Sequence, residues 1–174
     1  MIKQIMTNLF GKTVFLVLLC VPFWASGQVS EKHVTKIFRY MEKFSSYSDS
    51  LIDSMAVGDW RDVEVLTALS DMAHEAYLHS LYISGMLDML TAIENPSERT
   101  AALYKTTFHI KGAITFMNIT NKAITTELNM TENQSIISVG RKLKRDAETF
   151  KKELETVKNE LEYDYSYLMG RPKN

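Results

Sequence analysis

Asn95-Pro96-Ser97-Glu98 is the stretch on which the fold turns. Asn is a strong N-cap residue, because its side-chain oxygen takes one of the amides that a helix start leaves unbonded. Proline at the first helical position has its φ already set and no amide to leave unpaired. Glu98 stands at the third position, where a negative charge suits the positive end of the helix dipole. A helix therefore starts at Pro96, and whatever precedes Asn95 ends there.

Downstream, Leu103, Thr107, Ile110, Ile114, Met117, Asn121, Ile124 and Leu128 recur at spacings of three and four. That period places them on one helical stripe, with polar Asn121 at a core-like position that can fix register. Upstream, Leu66, Leu69, Ala73, Ala76, Ser80, Ile83, Leu87 and Leu90 make a second stripe, widened by Val65, Met72, Met86 and Ile93. This helix is apolar over much of its circumference and is expected to be the most buried. Asp59 is its expected cap.

Two further segments flank this pair. Val34, Ile37, Met41, Phe44, Ser48, Leu51 and Met55 follow a start near Ser30 and stop at Gly58. Ile136, Gly140, Leu143, Ala147, Phe150, Leu154, Val157 and Leu161 follow a start expected at Thr131, with Gln134 as its capping-box partner, and end at Gly170 and Pro172. The connections are a few residues long, so neighbouring helices must run antiparallel. The expected fold is all-α, an up-down-up-down four-helix bundle over residues 28–174. A three-helix arrangement with the short, Ser-rich first segment detached is the alternative.

Residues 1–27 read as a secretory signal peptide. Lys3 and Lys12 supply the positive start, Val14 to Val21 the apolar run, and Ala25-Ser26-Gly27 the small residues of a cleavage site. The apolar run is shorter than the ~20 residues that span a bilayer. A retained anchor and a lipid attached at Cys20 are the alternatives, the second disfavoured by bulky Leu19. Cys20 is the only cysteine among the 174 residues, so the cleaved protein rests on packing and not on disulfides. The expected location is exported, periplasmic or secreted, with no membrane span after cleavage.

Composition narrows function mainly by exclusion. Of the 20 basic and 21 acidic residues, only Lys3 and Lys12 fall in the leader, so the remainder is mildly acidic and gives no basic surface for nucleic acid. There is no Cys-x-x-Cys-His, no His-Glu-x-x-His, no phosphate loop and no Gly-x-Ser-x-Gly elbow. Glu75 and His79 stand four apart where a di-iron bundle needs Glu-x-x-His on two helices. No enzyme is expected.

One constellation carries chemistry. In an antiparallel pair turning at Asn95, His79 and His109 fall at nearly equal height, and Glu75 lies one turn before His79. Two imidazoles, with Glu75, are a bundle-core site for a b-type haem or a transition metal, with Met41 and Met117 as neighbours. The competing reading is two interface histidines with no ligand, and no cofactor is expected on it. His33 and His74 have no partner at their height and are expected at the surface.

The last segment has an inverted charge order. Arg141, Lys142, Lys144 and Arg145 come early, and Glu153, Glu155, Glu160, Glu162 and Asp164 come late, against the helix dipole. An opposing charged helix, a protein partner at the basic cluster, or a tolerated solvated face would each account for it. Gly85, Gly112 and Gly140 lie within helices at a cost of about 1 kcal/mol each relative to Ala, which points to close helix approach or to room for a ligand. The function expected from these features is a non-enzymatic binding or interaction module working through the charged face of the last segment on a protein of the cell envelope or a small ligand, with a homo-oligomer compatible. The alternative is a haem or metal carrier at His79 and His109.

Overall fold

The computed structural model describes residues 31–55 and 60–170. The leader, Ser30, Gly58, Asp59 and Pro172 lie outside the described residues. Four helices account for nearly all of the rest: α1 (Glu31–Met55), α2 (Trp60–Ala92), α3 (Pro96–Leu128) and α4 (Gln134–Leu168). At 1.5 Å per residue, the 25 residues of α1 reach about 37 Å and the 33 to 35 of the others about 50 Å. They form an antiparallel four-helix bundle. α1 is not detached. It packs on α2 and α4, while α2 and α4 each touch all three other helices.

The stripes read from the sequence are the core. Ile37, Phe44, Leu69, Ala73, Ile83, Leu87, Leu103, Ile110, Met117, Leu143, Phe150 and Leu154 are buried. α1 approaches α2 closely and α3 approaches α4 closely; the α1–α4 and α2–α3 interfaces are wider. Small side chains explain the first close approach, where Ser48 and Ser70 exchange a hydrogen bond of 3.2 Å. At the second, a Cβ on Gly140 would stand 2.5 Å from Leu128 Cδ2, so the glycine is a notch that receives Leu128. Aromatic rings hold α1 off α4: Tyr40 and Phe44 pack on Phe150 at 5.3 and 5.6 Å between ring centres.

The helix ends are set by side chains. Asn95 Oδ1 accepts from the amides of Ser97 (2.9 Å) and Glu98 (3.3 Å), as its sequence context predicts. α4 starts later than expected. Its cap is Asn133, whose Oδ1 accepts from Ser135 N. The Thr131 hydroxyl accepts from Asn133 N at 3.0 Å and donates to Asp62 Oδ1 at 2.8 Å, and Asn133 Nδ2 donates to Asp62 Oδ2 at 2.8 Å. One carboxylate near the start of α2 thus clasps the α3–α4 connection. Among the described residues, no helix is long and apolar enough to cross a membrane.

Candidate functional site

A groove of about 530 Å³ runs between α2 and α3 on the outside of the bundle. Glu75, Leu78, His79, Leu81, Tyr82, Phe108, His109 and Gly112 line it. The structure brings together the three residues singled out in the sequence, but outside the core. The helices face each other through Ala76, Ile83, Ile110 and Ala113, all buried, and the histidines sit on the outer shoulder of that contact. Equal height was readable from the turn at Asn95; rotation about each helix decides that the pair opens outward. Met117 is buried in the core and is not part of the groove.

Each imidazole packs on a ring of the opposite helix. His79 lies 4.7 Å from the Phe116 ring, and His109 meets Tyr82 edge-on at 5.0 Å. Burial pushes the His79 pKa below its ordinary value, and the Glu75 carboxylate only partly offsets this. A neutral imidazole keeps a lone pair for a ligand. Among the described residues, no three His, Cys, Asp or Glu side chains converge as a metal cage.

The groove is bordered by apolar side chains that the fold leaves in solvent. Leu81 is 45% exposed, Tyr82 54% and Phe108 65%. Tyr82 and Phe108 belong to outward stripes that run opposite the core stripes. On α2 the outward row is Asp71, Glu75, Leu78, Tyr82, Gly85 and Met89; on α3 it is Lys105, Phe108, Gly112, Thr115, Ile119 and Lys122. Both keep the three-four spacing of a packed seam. A second hollow opens beyond Phe108, where Tyr104 and Tyr165 flank the Lys111–Glu162 ion pair of 2.8 Å.

The opposite side of the bundle holds a polar network that the sequence did not disclose. His33 is not a surface residue. It is 7% exposed, with Nδ1 2.6 Å from Glu153 and Nε2 3.0 Å from Glu160. Both ring nitrogens face carboxylates. Lys36 Nζ reaches Glu153 at 3.0 Å, and buried Asp146 accepts from Lys43 (3.2 Å) and from the Tyr47 hydroxyl (2.7 Å). Burial raises the Glu153 pKa, but the hydrogen bonds from His33 and Lys36 outweigh it, and the net shift is downward. Burial first, and the bond to Asp146 second, lift the Tyr47 phenol to about 12. Of the five late acids of α4, Glu153 and Glu160 thus meet His33 and Lys36 on α1 and Glu162 meets Lys111 on α3, so opposing helices account for part of its inverted charge order. His74, by contrast, is exposed as expected.

In the early basic cluster of α4, Arg141 and Arg145 are exposed one turn apart on the same face with exposed Lys142 beside them, while half-buried Lys144 borders a polar hollow with Asn121, Lys122, Glu148 and Lys151. Asn121 Oδ1 lies buried there without a hydrogen-bond partner. Comparison with known proteins finds no matching family model, no matching curated sequence and no matching solved structure.

Proposed function

We propose that this chain is an exported, non-enzymatic binding module of the cell envelope whose working surface is the α2–α3 face. The observation that carries the reading is the groove itself, apolar, lined by two imidazoles and a carboxylate, and bordered by large side chains left in water. Exposed apolar side chains gathered in one place and rimmed by polar residues are a common mark of an interaction site. The basic start of α4 is the weaker candidate, because only Lys144 of its four charges borders a hollow.

A photo-crosslinking residue placed at Leu81 or Phe108, and at Glu42 or Glu148 as controls, tests this in intact cells. Crosslinked products at the first pair only are expected. Equal yields at all four positions would overturn the reading.

A second reading is favoured by one observation, that His79 and His109 open onto the same groove. Two imidazoles without a third ligand suit the axial positions of a b-type haem better than a bare transition metal. Titration with hemin should then give a Soret band that both His79→Ala and His109→Ala abolish. A protein that stays colourless with excess hemin removes this reading.

A further inference from the structure

We infer that the partner covering the α2–α3 face is a second copy of the chain, with α2 of each copy lying antiparallel on α3 of the other. The inference rests on reading that face as the working surface.

Three independent features select this occupant. The first is charge. From Asp62 to Ala92, α2 carries Asp62, Glu64, Asp71, Glu75 and Asp88 and no Lys or Arg. From Arg99 to Asn121 and on to Lys122, α3 carries Arg99, Lys105, Lys111 and Lys122 and no acid. Among the described residues no ion pair joins α2 to α3; Asp62 is held by the α3–α4 connection, Arg99 by the Leu90 and Ile93 carbonyls and Lys111 by Glu162, while Asp71, Glu75, Lys105 and Lys122 stand exposed on the outward rows. A twofold axis parallel to the helices sets acidic α2 on basic α3 twice over. An axis across them would set α2 on α2, acid against acid. Like charges facing each other disfavour that arrangement.

The second feature is the glycines. A Cβ built on Gly85 or Gly112 meets nothing within 4 Å, so neither serves packing inside the bundle, unlike Gly140. Each nonetheless forgoes about 1 kcal/mol of helix propensity on an exposed face. A helix without a Cβ admits close approach of another chain.

The third is register. The Tyr82–His109 and His79–Phe116 ring contacts fix the heights of α2 against α3. An axis parallel to the helices preserves those heights. Leu78, Tyr82 and Gly85 then come within about one turn of Gly112, Phe108 and Lys105 of the second copy. Asp71 falls within about one turn of the second copy's Lys122. Every contact occurs twice, as an isologous interface requires. Two helices presenting ~30 Å of length and ~20 Å of width bury on the order of 1,200 Å² in total, the lower end of a specific interface.

Light scattering and sedimentation of the purified protein from 1 to 100 µM test it. A reversible dimer that weakens with salt is expected. Gly112→Leu should raise the dimer dissociation constant tenfold or more without loss of helicity. Asp71→Lys or Lys122→Asp alone should weaken the dimer, and the two together should restore it. A monomer throughout this range overturns the inference, as does a dimer that Gly112→Leu and the charge reversals leave unchanged. If the protein is monomeric but Phe108 still crosslinks to a different protein, the α2–α3 face remains the working surface and only the identity of its occupant is wrong.

Discussion

The α1–α4 seam and the α2–α3 face both join neighbouring helices at a wide spacing, yet they are finished differently. Along α1–α4, aromatic rings fill the gap from beneath, and His33, Lys36, Lys43 and Tyr47 close it from above onto Glu153, Glu160 and Asp146. Along α2–α3, the shoulder is left as an open apolar groove with no ion pair across it. The same helix period produces both. What differs is the residue type one step outside the core stripe: charged and complementary on one side, apolar on the other. The finished seam has its partners within the chain; the open one is where the proposed partner would lie.

Core truncation should separate the two regions most strongly. Phe150→Ala, at the centre of the α1–α4 aromatic cluster, should lower unfolding free energy by about 3–5 kcal/mol. Phe108→Ala on the exposed face should change it by roughly 0.5 kcal/mol or less at monomer concentrations. Comparable losses in urea titrations would break the contrast. Next, Asp146→Ala removes the hydrogen bond from half-buried Tyr47 and the ion pair of exposed Lys43 and should cost about 1 kcal/mol.

Glycine replacement sharpens the comparison in the opposite direction. Gly112→Ala and Gly85→Ala should each stabilise the monomer by about 0.5–1 kcal/mol, since the added methyl meets nothing and the helix gains propensity. Gly140→Ala should gain less than either, because Leu128 must shift to admit the methyl. The midpoints of thermal unfolding should follow that order.

Acid should reach the two regions at different pH, with the smallest effects. The folded protein holds the His79 pKa below its ordinary 6.5, so the unfolded chain takes up a proton first and stability declines as pH falls below about 6.5. Glu153 is held below its ordinary 4.5, so its contribution is intact above 4.5 and lost as pH falls through the lower folded value. Urea midpoints from pH 8 to 3 should show His79→Gln flattening the first decline and Glu153→Gln the second. A variant that flattens the other's window would contradict the assignment.

The bundle was legible because its core rows are strictly periodic and because Asn95-Pro96 marks one helix start without ambiguity. Local reading failed where a side chain answers to a distant one. Thr131 has the chemistry of a cap and its hydroxyl takes the Asn133 amide, but it also donates to Asp62 and the helix starts two residues later at Asn133. His33 looked solvent-facing because its carboxylates stand 120 and 127 residues along the chain. The groove was half legible. Height followed from the turn, but only the angle of each helix about its axis shows that His79 and His109 open outward. One signal was present and readable: the outward rows on α2 and α3 repeat at the same spacing as the core rows, with Leu78, Tyr82 and Met89 where a solvated helix would carry charge.

The seat of Leu128 over Gly140 acts as a detent. Sliding α4 by one turn would bring Ile136 or Lys144 beneath that leucine, where no hollow exists to receive it, and close-packed interiors do not deform gradually. Piston travel along the α3–α4 pair is therefore blocked. Any event at one end of the molecule that is felt at the other must travel by helix rotation or by the two hairpins parting, and the α1–α4 and α2–α3 boundaries are where that parting would occur.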